Sequence, residues 1–516
     1  MKRLSSIIAG ATVLATLFTG CAKGGTPVLT VTTAPAVSAT TAQTTDPSKG
    51  VQVTFTDSNI TASSANGLDI DGTFMRITAS GTYTLSGKCK NGSVKVKKGV
   101  TGVTLILNGL DLTSEATAPI VCAKGSEVTI EIAAGTENAL TDTEANNDET
   151  GNENAENAVI KCKDGSQVTL GGTGALNIQA NGKNGIKSGA STQEEGEASL
   201  TIQDLTLNIS APNNDAINAE ATLNVESGSL TISAGDDAIH ADNTLNIGTE
   251  ATQGPTIRID TCYEGLEGAT VNIYSGDVTI LSTDDCINAA NPDLQGFDYS
   301  LNISGGTILA YASTGDGFDS NGSMSISGGT VAVWTANQAD NSPLDADGTI
   351  TVSGGTVLAA GGSSGMGLNL DAQQACVVFS GSSDSQGKGF GSGSSIVGEN
   401  SSFAIADSQG NVLYSGDSKC NTAFLLFSAP EAADGVSYTL SSGGSSATAQ
   451  AQSGTISTGR GGMLGGMGRP GGDRTDGNGQ GSKDFNRGEK PDGQDFDPSQ
   501  KPDRQPKGDS QNESDL

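Results

Sequence analysis

The chain has 516 residues, 72 of them Gly, with 34% hydrophobic residues but only 4% aromatic. So little aromatic bulk argues against a single spherical core and suits the thin core of a repetitive fold. The net charge of −31, with one His in the whole chain, attracts cations and repels phosphates, which excludes a nucleic-acid partner.

At the N-terminus, Lys2 and Arg3 precede the apolar run Ile7 to Phe18, followed by Thr19, Gly20 and Cys21. Residues 1–20 thus look like a lipoprotein signal peptide, with Cys21 as the lipidated first residue of the mature chain. Phe18 stands where such signals prefer Leu, and an ordinary signal peptide with an incidental Cys is the alternative. The first reading puts the protein on the extracellular face of the cell membrane, held by its lipid anchor. No other apolar run approaches the ~18 residues needed to span a bilayer. Residues 21–49 are a Thr/Ala/Pro-rich stretch without period and read as a flexible linker.

Strand alternation begins after Gly50, at Val51, Val53 and Phe55, and continues at Val94 and Val96 and at Val103, Leu105 and Leu107. Cys122 to Ile130 and Cys162 to Leu170 match each other, and Cys89 to Val96 is a shorter echo. Cys89, Cys122 and Cys162 are therefore expected at matching positions as small apolar core residues. The acidic stretch from Glu144 to Glu156 reads as a loop.

From Lys187 each period consists of a short strand, a Ser-Gly-Gly-type turn, a second strand and a six-residue phrase. Residues 301–308, 324–331 and 350–357 are examples of the strand–turn–strand part. The phrase at residues 214–219 returns at 236–241, 263–268 and 284–289, more weakly at 315–320 and 341–346, and as outliers at 183–188 and 365–370. Its apolar member is Ile186, Ile217, Ile239, Leu266, Ile287, Phe318, Leu344 and Leu368, at spacings of 21 to 31 residues. Such a period signals a solenoid. Short strands without alternating helices predict an all-β, right-handed parallel β-helix over residues 50–372. A β-sandwich array, the rival, would be dominated by hairpin turns of Asn-Gly type.

Equivalent positions on successive coils of a β-helix lie above one another. Asp215, Asp237, Glu264, Asp285 and Asp316 then form a column of carboxylates, with Asp236, Asp284, Glu267, Asp319 and Asp345 nearby. Unit charges ~4.8 Å apart repel by about 3.5 kcal/mol at an effective dielectric of 20. The column needs protonation, solvent or a bridging cation. Oxygen-only ligation in an irregular site favours calcium, with Asp215, Asp236, Asp237, Glu264, Asp284, Asp285, Asp316 and Asp319 as the candidate ligands. A zinc site is disfavoured because His240 stands alone and no Cys pair is suitably spaced around it. The alternative is a solvated polar ladder without an ion.

Alignment of Thr307–Tyr311 with Thr330–Trp334 puts Tyr311 and Trp334 at equivalent, outward positions, where paired rings can stack on sugars. The alternative is that the C-terminal segment covers them. Residues 373–440 read as short antiparallel strands that cap the open end of the helix, with Cys376 and Cys420 able to pair. Residues 441–516, rich in Gly, Asp and Pro, read as a disordered tail.

The ordered succession of residues 81–87, Leu105–Leu112, Ala118–Ile120 and Gly135–Asp142 resembles a clostridial carbohydrate-binding β-helix family. The phrases Asp236–Ile239 and Gly315–Phe318, and the lead Ser453–Gly459 into the tail, are similar to it too, so that the likeness covers about residues 50–466. The resemblance implies a right-handed parallel β-helix like that of polysaccharide lyases, bound calcium, and binding of plant cell-wall polysaccharides such as cellulose and polygalacturonate. Glu264 replaces the family's more frequent Asp, which puts ligation on that coil in doubt.

Two functional classes compete, with a purely structural or adhesive surface rod as a third. The first is a calcium-binding, polysaccharide-binding surface lipoprotein, in which a cation reconciles an acidic protein with an acidic glycan. The second is a pectate-type lyase, which needs a base beside the cation. Lys187 and Arg258 are the residues nearest to that role, and neither sits in a basic cluster.

Overall fold

The computed structural model describes residues 46–458 apart from 252, 292–293, 295, 337–340, 363–367 and 382–394. The signal peptide, Cys21, most of the linker, residues 365–367 of the last phrase and the tail from residue 459 lie outside the described residues.

Once per repeat the chain passes through three short strands, and each pairs in parallel with its equivalent on the next coil. The first ladder joins Ile160, Ile186, Ile217, Ile239, Leu266, Ile287 and Phe318 in direct succession, and a bridge adds Leu344. The second joins Leu200, Leu223, Leu245, Val271, Leu301, Met324 and Ile350. Leu207, Leu230, Ile257, Val278, Ile308, Val331 and Val357 make the third. The described chain is therefore an all-β parallel β-helix, and the apolar members of the repeat set its register.

All of these side chains are buried in one continuous apolar cluster. Period-two alternation places them inside and leaves Thr, Asn and Ser outside. Each fully buried Leu, Ile or Val contributes about 1.5–3 kcal/mol, so the thin core is sustained by repetition rather than by bulk. The Ser-Gly-Gly turns need their glycines. Gly329 sits at φ 82°, and a Cβ on Gly328 would lie 2.2 Å from the Ser304 carbonyl oxygen of the preceding coil.

At the C-terminal end the pairing becomes antiparallel. Phe424–Ser428 pairs with both Thr356–Gly361 and Leu368–Ser380, and Gln452–Thr458 pairs with Leu368–Ser380. A separate antiparallel sheet runs Val412–Asp417, Ser402–Asp407, Ser437–Ser442, Ser445–Gln450. Together they close the strand edge that the last coil leaves unpaired, around a second apolar cluster.

Two expectations are corrected here. The strands run on to Thr458 instead of ending at 440. Ser445–Gln450 is an outlying strand of small residues, largely exposed, so its sequence carries no apolar alternation and only its pairing reveals it. The cysteines also differ from the expected stack. Cys122 and Cys162 are direct partners, but Val96 precedes Cys122 in that ladder, while Cys89 pairs with Leu112 elsewhere. Every cysteine among the described residues is free and buried, including Cys376 and Cys420, which belong to different apolar clusters.

Candidate functional site

The register that aligns the apolar member of the phrase also aligns its polar neighbours. Two residues before it stand Asn184, Asp215, Asp237, Glu264, Asp285, Asp316 and Ser342; one residue after it stand Lys187, Asn218, His240, Glu267, Asn288, Asp319 and Asp345. These two columns run side by side along the first ladder. Lys187 begins one of them and carboxylates end it.

Like charges at coil spacing must be compensated, and the columns do this in different ways. Backbone N–H groups form the first. Asp215 Oδ1 accepts the Asp237 N–H at 3.2 Å, Asp285 Oδ1 accepts the Asp316 N–H at 2.7 Å, and Asp316 Oδ1 accepts the Ser342 N–H. Each of these carboxylates ties its coil to the next.

His240 forms the second. Its Nδ1 lies 3.0 Å from Asp237 Oδ2 and 2.5 Å from Glu267 Oε2, and its Nε2 lies 2.9 Å from Asp242 Oδ1. Burial works against the charged imidazole, but the Glu267 charge and hydrogen bonds to Asp237, Asp242 and Glu267 outweigh it and hold the His240 pKa well above its ordinary value. Burial, with the charges of Asp215 and Glu267, pushes Asp237 up, against the pull of His240. Potential ligand atoms of Asp215, Asp237 and His240 lie within 4.8 Å of one another, as do those of Asp237, Glu264 and Glu267. The His240 ring thus occupies a place where the sequence predicts a metal. His240 looks isolated in the sequence because the register that brings Glu267 against it is not written there.

Beyond Glu267 no histidine is available. Among the described residues no Lys, Arg or His forms an ion pair with Asp284, Asp285, Asp316, Asp319 or Asp345. Burial first, then the surrounding carboxylates, raise Asp285 to about 9, Asp316 to about 7 and Asp319 to about 6. The Tyr263 phenol hydrogen-bonds Asp284. Asn288 Nδ2 donates to Glu264 Oε2 at 3.0 Å, while the Asn288 Oδ1 is buried without a hydrogen-bond partner, as is that of Asn218. Carboxylates in excess and an orphaned amide oxygen form the donor set that a hard cation takes. Carboxylates without a basic partner among the described residues thus gather at the Asp284–Asp345 end of the columns, while His240 fills the coil before them.

Of the candidate ligands, Asp215, Asp237 and Glu264 enter the tight clusters. Asp285, Asp316 and Asp319 share the columns but are spread along them. Asp236 and Asp284 lie one residue outside the first column, half-exposed.

The expected aromatic platform is corrected. Tyr311 and Trp334 are register partners, and their neighbours Ala310 and Val333 point into the coil. The cap, however, lies over the outer face: Trp334 is 3% exposed, within the cluster that holds Phe403, Phe427 and Leu358, and Tyr311 packs against it. Apolar residues on the inner side of the cap thus close the Trp334 ring off from sugar, while Tyr311 stays partly exposed, so the two rings do not form an open pair.

Residues 71–365 match the family model described as carbohydrate-binding domain-containing protein. A carbohydrate-binding domain-containing protein of Acetivibrio thermocellus is 34% identical over 136 residues, 26% of this chain and 47% of that protein. The chain thus spans about half the length of the curated relative it matches. Among solved structures, the polysaccharide lyase-like protein from C. thermocellum, as a gadolinium derivative, is 23% identical, with 60% of this chain and 93% of that chain covered and a TM-score of 0.32. With more than half of its length matched by the family model, the chain belongs to the carbohydrate-binding domain-containing protein family.

Proposed function

We propose that the protein is a polysaccharide-binding surface lipoprotein without enzymatic activity, anchored through Cys21, that takes acidic glycans of the polygalacturonate type, and cellulosic glycans, with calcium on its acidic columns. Family membership supports the binding of polysaccharide. The observation that carries the calcium reading is the run of half-buried carboxylates at Asp285, Asp316 and Asp319, held above their ordinary pKa with no basic partner among the described residues. Glu264, Asp285, Asp316 and Asp319 supply carboxylate oxygens, and Asn288 its amide oxygen. Bound calcium would supply the positive charge that lets this surface meet a uronate.

The basic residues support binding over elimination. Lys187 pairs with Glu220 at 3.5 Å and Arg258 with Asp260 at 2.5 Å, so each already serves a carboxylate instead of a substrate proton. Sedimentation with insoluble polygalacturonate, with calcium and then with chelator, tests the reading. Retention that the chelator abolishes is expected, without the ultraviolet absorbance of an unsaturated uronate. Equal retention in chelator would remove the calcium bridge, and appearance of that absorbance would make the protein a lyase.

A further inference from the structure

The regular turn between the second and third ladders is broken at one coil. Residues 226–228 make this turn in one coil and residues 274–276 two coils later, but residues 248–255 intervene between Ile247 and Thr256. Directly after the second-ladder strand, successive coils place Glu226, Gly248 and Tyr274. Gly248 (φ 70°) is required there, because a Cβ would meet Ser275 Oγ at 2.3 Å. A cleft of about 310 Å³ lies at this turn, lined by Asn224, Glu226, Asn246, Gly248, Glu250 and Tyr274 along with Thr249.

The chemistry of this cleft is that of a sugar site. The Glu226 and Glu250 carboxylates and the Tyr274 hydroxyl have no hydrogen-bond partner among the described residues. Asn246, Asn272 and Asn302 each donate from Nδ2 to the Oδ1 of the amide one coil before, at 2.9, 2.9 and 3.0 Å. An amide nitrogen carries two hydrogens, so Asn246 and Asn272 each keep a second donor. Amides repeat at the coil spacing of ~4.8 Å, close to the rise of one β-linked pyranose in an extended glycan. Its volume is at the lower end of the range for ligand clefts, about 300–1,000 Å³, which suits one sugar residue.

We propose that this cleft is a calcium-independent subsite for a neutral pyranose of a polysaccharide, separate from the acidic columns on the first ladder. The inference rests on the polysaccharide-binding reading above. Glu226 and Glu250 accept hydrogen bonds from vicinal hydroxyls and repel a uronate, Asn246 donates, and the half-exposed Tyr274 ring offers its face to the apolar side of the sugar.

Sedimentation of the full chain with insoluble cellulose, mannan and xylan in chelator, beside polygalacturonate in calcium, tests it. Wild type, Tyr274→Ala and Glu226→Gln are compared, with thermal melting to confirm folding. The expected result is retention of wild type on a neutral glycan in chelator, weakened about tenfold or more in both variants, with polygalacturonate retention unchanged. Neutral-glycan binding that survives both substitutions, or that needs calcium, overturns the subsite. Wild type that binds polygalacturonate alone overturns it as well and leaves the broader reading standing. Wild type that binds no polysaccharide overturns both.

Discussion

Asp316→Asn separates the electrostatic load of the acidic column from its hydrogen bonding. Asn keeps an Oδ1 that can accept the Ser342 N–H but loses the charge that burial, then Asp345, Asp319 and Asp284, make costly. The Asp316 pKa stands at about 7 in the folded chain against 3.8 for an unperturbed Asp carboxyl. The native state therefore holds a proton that the unfolded chain releases, and stability falls as pH rises from 3.8 through about 7. That difference of about 3 pKa units sets a ceiling near 4 kcal/mol, and partial exposure of the side chain reduces it to about 2 kcal/mol. In chelator at pH ~8, Asp316→Asn should therefore unfold later in urea than wild type, by about 2 kcal/mol, and the two should converge near pH ~4. Calcium should reverse the order, because wild type has one more ligand and gains about 2.7 kcal/mol at a hundredfold excess over Kd. A variant less stable than wild type at pH ~8 in chelator, or a gap independent of pH, would refute the reasoning.

Other predictions concern the histidine cage and the cap. His240→Ala leaves Asp237 and Glu267 buried without their cation and should cost roughly 3–5 kcal/mol in urea unfolding. The His240 contribution is fully present below 6.5, the pKa of an unperturbed imidazole, and is lost as pH rises through its raised folded value, so the gap between wild type and variant should narrow at high pH. A gap that widens there would show that the imidazole is not the cation of this coil. Trp334→Ala should lower stability by about 3–5 kcal/mol through the cavity it leaves under the cap, with polysaccharide retention unchanged in sedimentation. Loss of retention with an unaltered melting curve would restore Trp334 as a sugar contact.

The β-helix was legible because its register is repeated in the chain itself: Ile217, Ile239, Leu266 and Ile287 recur at coil spacing, and inward alternation follows from them. The carboxylate column was legible for the same reason, since the register that stacks the isoleucines stacks Asp215, Asp237 and Asp285. Contacts set by more than one coil were not. His240 reads as solitary until Glu267 of the next coil lies against its Nδ1, and backbone N–H groups satisfy Asp215 and Asp285 in a way that no spacing announces. Trp334 faces outward as its alternation demands, yet outward there means under the cap, whose strands pair far along the chain. Ser445–Gln450 has the composition of a disordered tail and becomes a strand only through Ser437–Ser442. Glu226, Gly248 and Tyr274 share no motif; an interrupted turn is their only signature.

The most direct test of the account is calorimetric titration of calcium into the chelator-stripped full chain, beside the double variant Asp285→Asn with Asp316→Asn, whose folding is checked by melting. The account predicts saturable calcium binding to wild type that is lost or strongly weakened in the double variant. Absence of binding to wild type, or equal binding to both chains, would contradict it.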